Sequence, residues 1–109
     1  MIDKLESIVD HFRNLEEQLA DPAVINDLDR FKKVNKEYKD LKEIVDVFLE
    51  YKQVDAHIRS ARELLREKDP ELQEMAQTEL DELTPRKDEL EEKLKFLIIP
   101  KDPENGVPR

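Results

Sequence analysis

The stretch DLDRFKKVNKEYKDLKEIVDVFLEYKQVDAHIRSARELLREK, Asp27 to Lys68, contains no Gly or Pro and carries apolar residues at helical period throughout. One unbroken helix is the simplest reading. About 40 residues at about 1.5 Å rise make a rod of roughly 60 Å, too long for one short partner to cover. Its apolar residues show how it is covered. One stripe runs Phe31, Val34, Tyr38, Leu41, Val45, Phe48; a second, rotated stripe runs Ile44, Val47, Tyr51, Val54, Ile58, Ala61, Leu65. The helix therefore presents different faces along its length. The stripes overlap only between Ile44 and Phe48, where a wide apolar arc is expected to receive two partner helices.

Toward the amino end, Ile2 to Leu19 places Leu5, Ile8, Phe12, Leu15 and Leu19 in three-four alternation, with Glu6, Arg13, Glu16, Glu17 and Gln18 off the seam. This is an amphipathic helix of the two-stranded packing type. Asp21-Pro22 stops it, because the residue before a proline is pushed out of the helical region and the proline supplies no donor. A turn of a few residues should follow, with Asn26 or Asp27 capping the long helix. So short a connection makes the first two helices antiparallel.

Toward the carboxyl end, Asp69-Pro70-Glu71 combines an N-cap acid, a proline at the first helical position and an acid near the positive end of the dipole. A third helix starts there, with Leu72, Ala76, Leu80, Leu83, Leu90, Leu94 and Leu97 as its stripe and Lys87 in the seam between Leu83 and Leu90. About 27 residues reach back roughly 40 Å, to the Ile44 to Phe48 region. The expected fold is all-α: an elongated, antiparallel, coiled-coil-like three-helix array over residues 1–97. Pro85 interrupts the third helix, since an interior proline removes a backbone bond and crowds the carbonyl four residues back. A kink or a split is expected between Leu83 and Arg86, with Thr84 as a local cap. Beyond Leu97 the period ends, and residues 98–109 hold the only Gly in a polar, turn-rich run that reads as a linker. Apolar Ile98 and Ile99 entering that linker imply that something packs beyond it.

Composition narrows the function classes. With 43% charged and 6% aromatic residues the core is narrow, as thin helical seams require. Against 19 Lys and Arg stand 28 Asp and Glu, a formal charge of −9 that argues against a duplex-DNA binder held by phosphate contacts. There is no Cys, hence no disulfide, thiolate metal site or cysteine nucleophile. No apolar run approaches the ~20 residues that span a bilayer, and the amino end lacks the order of a signal peptide. A soluble, cytoplasmic protein is expected.

Catalytic chemistry finds no foothold. One Gly cannot build a phosphate-cradling loop. Ser7 and Ser60 sit on helices without the glycines of a nucleophile elbow, and His11 and His57 do not form a two-histidine metal motif. Carboxylates such as Glu89, Glu91 and Glu92 are plentiful, but solvated faces with pairs such as Lys36 with Asp40 and Arg59 with Glu63 account for them. No catalytic, cofactor-binding or metal-binding residue is expected. Two basic tracks remain: Lys32, Lys36 and Lys39 on the first half of the long helix, and Arg59, Arg62 and Arg66 on the second. Both are interrupted by acids. They read as ordinary solvated faces or as contacts with RNA or an acidic protein surface, and Lys32, Lys36, Arg62 and Arg66 are the candidate partner contacts.

Physics alone describes a helical interaction module, for which a free-standing coiled-coil adaptor or scaffold is one reading. Particular residues say more. Asp29-Arg30-Phe31 with Glu37-Tyr38 and Leu41, then Asp69-Pro70-Glu71-Leu72 with Glu74-Met75-Ala76, then Leu90 to Leu97 running into Ile98-Ile99-Pro100-Lys101-Asp102-Pro103, closely resemble the amino-terminal domain of bacterial class I peptide chain release factors. The last stretch is the most specific, and it is more similar to the type 1 branch, which reads UAA and UAG, than to the type 2 branch. The resemblance implies translation termination, with a tail leading into a Gly-rich catalytic domain. It also implies contact with the stalk base of the large ribosomal subunit, the recycling GTPase and the glutamine methyltransferase. The family's Gly-Gly-Gln and Pro-x-Thr motifs, which carry hydrolysis and codon reading, do not occur here. No catalytic or codon-reading residue can be transferred, so the chain reads as an amino-terminal fragment and not as an enzyme. Pro85 departs from the family pattern, which continues there as a plain helix.

Overall fold

The structure, a computed structural model, describes residues 1–99. They form α1 (Ile2–Leu19), α2 (Pro22–Ile25), α3 (Leu28–Leu64) and α4 (Pro70–Ile98), with no strand among the described residues. The fold is an all-α helical array. Contacts divide the chain into two compact units, Met1–Phe48 and Leu49–Arg109, so that α3 contributes its first part to one and its second part to the other.

In the first unit the seam follows from the three-four spacing of α1, which buries Leu5, Val9, Phe12 and Leu15. Val9 takes the buried place expected for its neighbour Ile8, which is only half-buried. Phe12 stacks on Tyr38 with ring centroids 4.6 Å apart, and Leu15 shares a cluster with Val34. Rising numbers on α1 thus meet falling numbers on α3, the antiparallel order that a short connection imposes. That connection is more than a turn. Asp21 accepts a hydrogen bond from the Ala23 amide at 2.9 Å and Pro22 takes the first helical position, which starts the one-turn helix α2. Asp21-Pro22 therefore ends one helix and begins another by the chemistry that Asp69-Pro70 uses for α4. Its product is Val24, fully buried against Leu15 and Val34, a core residue invisible to periodicity because one turn is too short to show any. Of the two expected caps for α3, Asp27 serves, its Oδ1 accepting from the Arg30 amide at 3.3 Å. The overlap of stripes is matched by burial of Ile44, Val45, Val47 and Phe48 together.

In the second unit, Val54, Ile58 and Ala61 of α3 and Ala76, Leu90 and Leu94 of α4 are buried. The first helix of this pair ends at Leu64, four residues short of Lys68, in a turn where Arg66 and Glu67 amides reach back three residues. Gln73 seals that turn by donating from Nε2 to the Glu67 carbonyl at 2.6 Å. Asp69 caps α4 through the Glu71 amide at 2.9 Å. α4 then continues through Pro85 as one helix. The expected split does not occur. Pro85 is exposed, so its ring and the carbonyl it leaves without a partner, that of Asp81, lie on a face of the helix where water can serve. Ile98 is still helical and Ile99 is the extended cap of α4; the rest of the run read as a linker, from Pro100 onward, lies outside the described residues.

Candidate functional site

Among the described residues, no three His, Cys, Asp or Glu side chains are placed to hold a metal ion, and no helix is long and apolar enough to cross a membrane. Among these same described residues, no buried side-chain polar atom lacks a partner. Polar chemistry is concentrated in the second unit, where the charged residue in the leucine seam of α4 has found its partners. Lys87 Nζ lies 2.9 Å from Asp55 Oδ1 and 6.0 Å from the centre of the Tyr51 ring. Tyr51 in turn donates its hydroxyl to Glu91 at 3.2 Å. One residue before Lys87, Arg86 grips Glu50 through two hydrogen bonds of 2.8 Å and reaches Glu89. The pairs Tyr51 with Glu91 and Asp55 with Lys87 run in opposite numerical order, so they fix the antiparallel register of α3 on α4. Lys87 in a leucine stripe was the visible signal; its partners were not identifiable, because acids are too frequent to single out one.

The network titrates at both ends of the pH scale. The hydrogen bond from Lys87 is the main cause that holds the Asp55 carboxyl below its ordinary 3.8, and the same bond raises Lys87 above 10.5. Partial burial, then the bond to Glu91, raises Tyr51 above 10.0. A depressed acid contributes stability that is present above its unfolded pKa and is lost as pH falls through the folded one. A raised Lys or Tyr contributes stability that is present below its unfolded pKa and is lost as pH rises through the folded one. Tyr51→Phe combined with Lys87→Met should therefore reduce the fall in melting temperature between neutral pH and pH well above 10.5, relative to the parent chain. Identical alkaline falls in the two proteins would show that these groups do not couple helix packing to pH.

The four candidate contacts fall in different places. Lys32 and Lys36 are exposed on the first part of α3, with Lys36 tied to Asp40 at 2.9 Å. Arg62 lies on the second part and Arg66 in the turn just beyond Leu64, where they join Arg59 along an open groove that also includes Ala56, Ser60 and Glu63. The expected pair of Arg59 with Glu63 is replaced: Arg59 turns to Asp55 at 3.3 Å and Glu63 to Arg66 at 3.6 Å. Acid before base at a spacing of four is the better order on a helix, which favours Asp55. A second open groove follows α4 along Glu71, Glu74, Met75, Thr78, Glu79 and Glu82. Neither groove is an enclosed site of the kind that shifts a catalytic pKa.

Comparison with known proteins places the chain in a family. The family profile of the PCRF domain matches residues 8–108. Peptide chain release factor 1 of Oleidesulfovibrio alaskensis is 45% identical over 103 residues, which are 94% of this chain and 29% of that protein. The protein of the same name from Maridesulfovibrio salexigens is 43% identical over 106 residues, 97% of this chain and 30% of the relative. That of Chloroherpeton thalassium is 44% identical over 103 residues, again 94% and 29%. The chain thus spans less than a third of the length of these curated relatives. No solved structure matches it. A match that begins within α1 and continues past the end of α4, with relatives this similar along nearly the whole chain, makes the protein a member of the PCRF domain family.

Proposed function

We propose that residues 1–97 are the helical, non-hydrolytic ribosome-contact module of a type 1 peptide chain release factor, acting in translation termination in the cytoplasm. The observation that carries this is the 45% identity to a peptide chain release factor 1 across 94% of the chain. The stalk base of the large subunit is the proposed docking point, with the recycling GTPase and the glutamine methyltransferase as protein partners. Residues 98–109 are the proposed linker to the catalytic and codon-reading region, and Lys32, Lys36, Arg62 and Arg66 are the proposed contact residues. The two open grooves on helix surfaces suit docking better than bond cleavage.

Two measurements test the reading. Stop-codon-programmed ribosomes carrying labelled peptidyl-tRNA should release no peptide when given this chain alone, and release above a buffer control would overturn its non-hydrolytic role. The chain should co-sediment with ribosomes weakly at low salt and be displaced by full-length release factor 1. Weakness is expected because the remaining domains would add affinity through effective concentration. No co-sedimentation, or binding that the full-length factor leaves untouched, would overturn the ribosome contact.

A further inference from the structure

We infer that the groove lined by Arg59 and Arg62 of α3 and by Arg66 of the turn after it is a track for the phosphate backbone of RNA. The inference rests on the proposed ribosome contact for the identity of the nucleic acid, and on local charge for the track itself. Arg59 and Arg66 have side chains 69% and 78% exposed, and Arg62 is exposed beside them. Asp55, the acid nearest Arg59, already has Lys87 as its closer cation, at 2.9 Å against 3.3 Å. Its charge is neutralised from the α4 side, and the Arg59 guanidinium keeps donors to spare. Glu63 is then the one acid lining the groove with three arginines, and it holds Arg66 only at 3.6 Å. In a chain of net charge −9 this face is locally cationic.

Spacing fits the ligand. Arg59 and Arg62 are three residues apart on α3, about 4.5 Å along its axis, and Arg66 follows in the turn beyond Leu64, lining the same groove. Successive donors along one groove suit a ligand that carries regularly repeated anionic groups. Guanidinium forks suit phosphate oxygens, and Ser60 adds a neutral hydroxyl donor between them. The floor decides between RNA and an acidic protein surface. Protein interfaces are anchored by buried aromatic or large apolar side chains, whereas this groove offers only Ala56 and aliphatic arginine stems. None of the exposed large apolar residues lines it.

A labelled short RNA duplex titrated with the whole chain, at several salt concentrations, tests the track. The arginine side-chain NMR signals of Arg59, Arg62 and Arg66 should shift, and the logarithm of affinity should fall with the logarithm of salt. Replacing all three by Gln should lower that slope by about one for each arginine, and replacing all three by Lys should largely restore it. All three are exposed, so circular dichroism should show the variants folded. Unmoved arginine signals, or a slope unchanged by the Gln variant, would overturn the inference. So would stronger shifts with a polyglutamate peptide than with RNA, which would assign the face to an acidic protein. Ribosome co-sedimentation separates the two readings: a parent chain and Gln variant that bind equally would sink the track alone, while RNA binding by a chain that ignores ribosomes would sink the proposed function alone.

Discussion

Phe48→Asp should leave the chain without a cooperative melting transition, whereas Lys36→Ala should melt close to the parent. Phe48 has no exposed surface and lies with Ile44, Val45 and Val47 on the one arc of α3 that is buried broadly. Truncating a buried Phe costs about 3–5 kcal/mol, and a carboxylate without a partner adds several more unless it takes up a proton. Against a total stability of about 5–15 kcal/mol for a small domain, the sum is decisive. Lys36, by contrast, has a side chain 77% exposed, and its pair with Asp40 spans one helical turn. Such a pair contributes about 0.3–0.5 kcal/mol. Thermal melts followed by circular dichroism compare the two directly, and similar midpoints would mean that the apolar arc of α3 does not hold the fold.

Pro85→Ala should raise stability by on the order of 2 kcal/mol. A proline inside a helix costs about 3 kcal/mol relative to alanine, and its restriction of the unfolded chain returns up to about 1. Because α4 is already helical on both sides of Pro85, alanine can take its place without rearrangement and restore a donor toward Asp81. Pro85 lies on an exposed face, where water can serve the freed carbonyl, and the next two residues, Arg86 and Lys87, are bound across to Glu50 and Asp55. Urea unfolding would show the gain as a higher midpoint at unchanged slope. A lower midpoint would mean that Thr84 and Pro85 form a working helix start whose loss is felt, in spite of the continuous helix.

Much of this was legible in the amino-acid order. The apolar stripes of α3 and the cap at Asp69-Pro70 are local patterns, and local patterns survive reading in one dimension. The resemblance carried by Asp69-Pro70-Glu71-Leu72 and the tail was likewise readable, and the matching family and relatives agree with it. The candidate cations Lys32, Lys36, Arg62 and Arg66 were readable as exposed tracks, since period places them off the seam.

Tertiary structure alone decided three things. Val24 became core because the one-turn helix α2 presses it onto Leu15 and Val34, and four residues are too few for any period to announce it. Pro85 remained inside one helix on an exposed face of α4, a placement that depends on which face packs against α3 and that propensity cannot contain. The pairings of Lys87 with Asp55, Arg86 with Glu50 and Arg59 with Asp55 were open in a chain with 43% charged residues, where alternative surface pairs differ by only tenths of a kcal/mol. Packing α4 against α3 brings Lys87 to Asp55 and so leaves the neighbouring arginines with charge to offer, because a pairwise choice among near-equal electrostatic options is made by geometry and not by composition.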